Sequence, residues 1–73
     1  MKKLKVELRK NLSSELMRGA TGYLEGFSYT PYGSIVLVYF PKVNSLIQLN
    51  LNDIYEIGYE EVRVEKETKE QEM

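Results

Sequence analysis

The sequence predicts an all-β fold: a small five-stranded antiparallel barrel or curled sheet. Three observations carry this. Apolar and polar residues alternate strictly over Leu4–Arg9. β-branched and aromatic residues fill Ile35–Phe40. Turn-forming residues recur between strand-like runs at spacings of roughly 8–14 residues, the rhythm of a small antiparallel β domain.

The first strand is the clearest. Leu4, Val6 and Leu8 fall on one side and Lys5, Glu7 and Arg9 on the other, the period of a half-buried strand. Residues 10–19 break that period. Asn11 or Ser13 can cap one helical turn and Gly19 can close it. The expectation is a loop with at most one short turn of helix, or an extended loop pinned by Leu12, Leu16 and Met17.

Residues 20–29 read as a strand interrupted by Gly22 and Gly26. Glycine weakens a strand interior, so its presence points to a bulge, a sharp bend or a close backbone approach. Tyr23, Glu25, Phe27 and Tyr29 share one parity, and Leu24 has the other. Thr30-Pro31-Tyr32-Gly33 is a turn, with proline presetting φ and glycine supplying positive φ. It joins two strands into a hairpin. The second of these, residues 34–40, is apolar on both parities, which predicts a central strand covered on both faces. Pro41 ends it.

Leu46–Leu51 alternates again, with Ile47, Leu49 and Leu51 on one side. Asn52-Asp53-Ile54 is expected to be a short turn, one 3₁₀ turn at most. Residues 55–65 form the last strand, with Ile57, Val62 and Val64 directed inward and a register change near Gly58. Residues 66–73 hold nothing to bury and are expected to be a flexible charged tail. The domain expectation is therefore residues 1–65 as one β domain followed by that tail.

Composition narrows the chemistry. The chain has 73 residues with no Cys, His or Trp. No disulfide can form, and an ordinary structural zinc site lacks its ligands. A chain of this size buries only about 60 % of its unfolded surface, so stability must come from apolar packing or a partner subunit. Met1-Lys2-Lys3 starts like a signal peptide, but the charged run after it is no apolar core. The nearly uncharged run Phe27–Pro41 is broken at Thr30–Gly33 and falls short of the ~20 apolar residues of a membrane span. A soluble, cytoplasmic protein is expected. Residues 1–42 carry seven Lys/Arg against three Asp/Glu, and residues 43–73 carry three against eight. That split gives either two charged faces or cross-strand pairs that cancel.

In order of elements, residues 17–62 are similar to a known family pattern. Met17-Arg18-Gly19-Ala20-Thr21-Gly22-Tyr23-Leu24-Glu25-Gly26-Phe27 precedes the apolar strand Ile35–Phe40, and Ile-Gln-Leu-Asn-Leu-Asn-Asp-Ile leads into Glu-Glu-Val. This resembles the small SH3-like barrels of the KOW type, and more loosely the Sm-type barrels. Of the basic stretch that opens a KOW motif, only Arg18 stands here. The resemblance implies a fold and no site.

Catalysis is not expected. There is no histidine to serve as a general base near neutral pH, and no cysteine nucleophile. Glu60 and Glu61 are adjacent, so a strand points them to opposite faces. Asn50, Asn52, Asp53 and Glu56 lack the spacing of a calcium loop. Gly19, Gly22 and Gly26 precede a strand rather than the helix N-terminus a phosphate loop needs.

Binding is what remains. Six tyrosines and two phenylalanines supply side chains that are both apolar and hydrogen-bonding. The candidate partner-binding residues are Lys5, Arg9, Arg18, Tyr23, Tyr29 and Tyr32. Lys5 and Arg9 share the polar side of the first strand, and with Tyr29 or Tyr32 nearby would make a patch for phosphate contact and base stacking. The acidic pI of about 5.4 weighs against nucleic acid, since such domains carry a basic excess. The expected function is a non-enzymatic binding module: an adaptor, inhibitor or small subunit whose partner is another protein or a second copy of the chain. RNA or DNA, or a ribosome- or transcription-associated assembly, is the alternative. No cofactor, metal, membrane or small-molecule substrate is expected.

Overall fold

Alternation along Leu4–Leu8 has its structural counterpart in burial. Val6 and Leu8 are buried, while Lys5 and Glu7 lie on the opposite face at intermediate exposure. The structure, a computed structural model, describes residues 1–62. It comprises β1 (Lys2–Leu8), β2 (Thr21–Thr30), β3 (Gly33–Phe40), β4 (Ser45–Asn50), a 3₁₀ turn (Leu51–Asp53) and β5 (Ile54–Glu61). Every strand pair is antiparallel, and the single sheet has the order β4-β3-β2-β1-β5. The sheet does not close into a barrel, because β4 and β5 both end it as edges. Val64 and the expected tail lie outside the described residues.

Cross-strand register sets what the core contains. Val6 stands opposite Gly22, Leu24 opposite Val38, Val38 opposite Ile47 and Val36 opposite Leu49. Opposed residues of an antiparallel pair share a face. That face holds the core: Val6, Leu8, Leu16, Val36, Val38, Phe40, Leu49 and Ile54 are buried. Gly22 is a close-approach glycine. A Cβ there would lie 2.6 Å from the Tyr39 carbonyl oxygen and 2.8 Å from Val38 Cγ1.

Loop 9–20 contains no helical turn. The Leu12 amide donates to the Leu16 carbonyl at 2.8 Å, the Leu16 amide donates to Ser13 Oγ at 3.1 Å, and the Arg18 amide donates to Asn11 Oδ1 at 2.7 Å. Asn11 and Ser13 thus satisfy loop amides rather than starting a helix. Of the three expected anchors, Leu16 is buried and Leu12 half-buried, but Met17 is exposed.

Two expectations about strand faces change. β3 is not covered on both faces. Val36, Val38 and Phe40 are buried, whereas Leu37 is exposed and Tyr39 half-buried. Among the described residues, Leu12, Leu16, Ala20 and Val43 from the loops pack on the core face, and Leu37 on the other face stays exposed. Ile57 does not point inward either. The β1–β5 register shifts between Lys5 and Val6, which face Gly58 and Glu56, leaving Ile57 as the extra residue of a bulge and exposed. Gly58, at φ +150°, absorbs the irregular backbone beside it.

Candidate functional site

The β2–β3 hairpin and the fork beneath it are the most unusual surface of the described chain. β1 pairs with β2 only over Glu7–Thr21, Val6–Gly22 and Lys5–Tyr23. Past Leu24 the β2–β3 register shifts, with Glu25 as the extra residue. Beyond it, Gly26–Thr30 of β2 pairs with β3, and Lys2–Leu4 of β1 pairs with β5. The ladder therefore forks at Glu25, and among the described residues nothing pairs with the β1-side edge of Gly26–Thr30. Lys3 Nζ, 2.5 Å from the Glu25 carboxylate, ties the base of the fork.

The bulge also reverses the parity of β2. Tyr23 stands opposite Tyr39, on the outer face with Lys5, but Phe27 stands opposite Val36 and Tyr29 opposite Ser34, on the core side. The core does not extend that far along the hairpin. Phe27 is 54 % exposed and Tyr29 83 % exposed, their rings edge-to-face at 5.7 Å and 79°, a favoured aromatic geometry. Tyr32, 98 % exposed, caps the turn. That turn is held from within: Thr30 Oγ1 donates to the Gly33 carbonyl at 2.6 Å and accepts from the Tyr32 amide at 3.2 Å. Gly33 adopts φ +136°, which favours glycine.

Lys5 and Tyr29 therefore do not form one patch. The six candidates fall into three groups. Lys5 and Tyr23 meet Glu60: the Tyr23 hydroxyl donates to Glu60 Oε1 at 2.9 Å, and Lys5 Nζ lies 3.7 Å from the same oxygen. This hydrogen bond holds the Tyr23 hydroxyl above its ordinary pKa. Arg9 and Arg18 line a shallow concavity with Glu7, Leu8 and Tyr55. There the Glu7 carboxylate beside the Tyr55 hydroxyl raises its pKa, and Arg18 and Arg9 oppose that rise. Tyr29 and Tyr32 lie on the hairpin, where Phe27 joins them. Phe27 and Tyr55 are additions that sequence reasoning did not single out.

About half of the charged side chains among the described residues are in ion pairs. The amino terminus meets Glu61, Lys3 meets Glu25, Lys5 meets Glu60, and Lys10 Nζ lies 3.2 Å from Asp53. Three of these join the basic and acidic halves of the sequence, so strand interleaving offsets part of that split. In contrast, Gly26–Asn52 holds one charged residue, Lys42. The molecule is divided into a charged part, built on β1 and β5, and an almost uncharged part, built on the outer half of β2 with β3 and β4. On the uncharged part Phe27, Tyr29, Tyr32, Leu37, Leu46 and Leu51 are exposed.

Among the described residues no group of three or more His, Cys, Asp or Glu is placed to hold a metal ion, and no helix is long and apolar enough to cross a membrane. Comparison with known protein families, curated proteins and solved structures finds no match to the chain.

Proposed function

We propose that this protein is a non-enzymatic protein-interaction module whose working surface is the uncharged outer part of the β2–β3 hairpin, Gly26–Phe40. The observation that carries this reading is the coincidence of three properties on one segment: absence of charge, exposed aromatic rings and a free strand edge. Interface centres are depleted of charge and enriched in Tyr and Phe, and a free edge accepts an extended segment through backbone hydrogen bonds. Sheet order β4-β3-β2-β1-β5, with a bulged β2 serving both arms and a 3₁₀ turn before β5, supports the SH3-like reading of the fold.

A nucleic-acid reading draws on one observation, the shared concavity of Arg9 and Arg18. Against it, Lys3, Lys5 and Lys10 already face carboxylates, and neutralised lysines release few counterions.

Affinity capture from lysate, with and without nuclease, separates the two. Tyr32→Ala should abolish retention of the partner without changing thermal stability, because the side chain is almost fully exposed. Lys5→Glu with Arg9→Glu should leave retention intact, and raised salt should matter little. Retention that vanishes with nuclease, falls steeply with salt, or depends on Lys5 and Arg9 would replace this reading with the nucleic-acid one.

A further inference from the structure

Edges of native sheets are protected by charge, proline, bulges or cover, because an open uncharged edge pairs with other chains. The β5 edge carries Glu56, Glu60 and Glu61. The freed end of β1 carries Lys2 and Lys3. Two edges carry no charge and no proline: β4, Ser45–Asn50, whose side chains include no aromatic ring, and the free edge of β2, Gly26-Phe27-Ser28-Tyr29-Thr30, which carries two and which no residue of β1 pairs with.

We propose that two copies of this chain associate by pairing this edge with itself, antiparallel and centred on Ser28. This inference rests on the hairpin being an interaction surface and commits to its occupant. A two-fold axis requires a self-complementary surface, and the edge has that property. With Ser28 facing its own copy, Phe27 faces Tyr29 of the second copy and Tyr29 faces Phe27, giving two aromatic cross-strand pairs. No like charges meet anywhere along the segment, and aromatic cross-strand pairs stabilise antiparallel strands. Taking 150–250 Å² for a buried aromatic side chain, Phe27 and Tyr29 at their observed exposure offer roughly 300 Å² per protomer, or about 600 Å² for two, below the size of a standard specific interface. The expected dimer is therefore weak and concentration-dependent. Self-pairing also extends a core of eight buried residues, which helps an uncrosslinked chain of this size.

The chain has no cysteine, so a single introduced one reports cleanly. Directly opposed Cα atoms of an antiparallel pair lie about 4.5–5.5 Å apart, inside the disulfide range. Ser28→Cys should crosslink to a covalent dimer on mild oxidation at micromolar protein, whereas Asn52→Cys, exposed on the 3₁₀ turn, should not. In sedimentation the wild-type mass should rise from one chain towards two as concentration goes from micromolar to millimolar. Ser28→Lys sets like charges opposite each other across the axis and should weaken association roughly tenfold or more, with circular dichroism unchanged. A monomer mass at every concentration, or equal crosslinking of both cysteine variants, overturns self-pairing. If such a monomer still loses its partner on Tyr32→Ala, the hairpin reading stands and only the choice of occupant falls. If it shows no Tyr32-dependent partner either, both fall.

Discussion

The Tyr23 hydroxyl donates to Glu60 Oε1 at 2.9 Å, across the two strands that flank β1. The same oxygen lies 3.7 Å from Lys5 Nζ, on the strand between them. A tyrosine that sequence reasoning assigned to a partner surface is thereby occupied within its own sheet.

That contact has a pH signature. The Tyr23 pKa is raised above its ordinary 10.0, first by the hydrogen bond to Glu60. The folded state therefore binds the phenolic proton more tightly than the unfolded state. Its stabilisation is complete below pH 10 and is lost as pH climbs through the raised folded value. Tyr55, raised by Glu7, acts in the same direction. Glu60→Gln removes the carboxylate acceptor and should bring one tyrosine back towards its ordinary titration. Tyrosinate absorbance against pH checks the shift, and melting temperatures above pH 10 check its effect on stability.

Two glycines on one strand should respond differently to alanine. A Cβ at Gly22 meets the Tyr39 carbonyl oxygen at 2.6 Å and Val38 Cγ1 at 2.8 Å. Backbone cannot move aside cheaply, so Gly22→Ala should cost about 2–3 kcal/mol through overpacking. A Cβ at Gly26 meets Leu37 Cδ1 at 3.2 Å. That side chain is exposed and can turn, so Gly26→Ala should stay within about 0.5 kcal/mol of wild type. Urea midpoints at constant slope distinguish the pair.

Loop 9–20 has one deep anchor. Leu16 is 3 % exposed against Met17 at 53 %. Leu16→Ala should cost about 2–5 kcal/mol through lost burial and the cavity left behind, while Met17→Ala should change stability by less than about 0.5 kcal/mol. Equal losses in chemical denaturation would show that the loop is held by something other than Leu16.

Local chemistry made most of the fold legible. Leu4–Leu8 alternates because one face is buried, the Pro31–Gly33 turn is encoded in residues with restricted or permissive φ, and Pro41 stops β3 where its missing amide would break the ladder. Gly22 and Gly26 marked irregularity in β2, and one is a close approach while the other adjoins the bulge. Non-local terms were illegible. Alternation in a single strand cannot say how many faces the rest of the chain will cover, so β3 read as buried on both sides. A bulge adds one residue of unspecified position, so unbroken alternation groups Tyr29 with Tyr23 and turns Ile57 inward, against the observed register. The same alternation groups Lys5 with Tyr29, which the bulge at Glu25 separates onto opposite faces. The absence of charge from Phe27 to Pro41 is visible in the sequence, where its length excludes only a membrane span. Its meaning as an interaction surface depends on the fork at Glu25, which no local pattern reveals.

Residue-resolved amide hydrogen exchange at high dilution tests that fork most directly. β3 lies between two strands, so its amides should be protected along its length. In Gly26–Thr30 the amides directed at β3 should be protected, and the alternate ones should exchange near the rate of open chain. Uniform protection of Gly26–Thr30 in the dilute monomer would mean that β1 covers this edge, and the uncharged hairpin would lose its claim as the place where a partner docks.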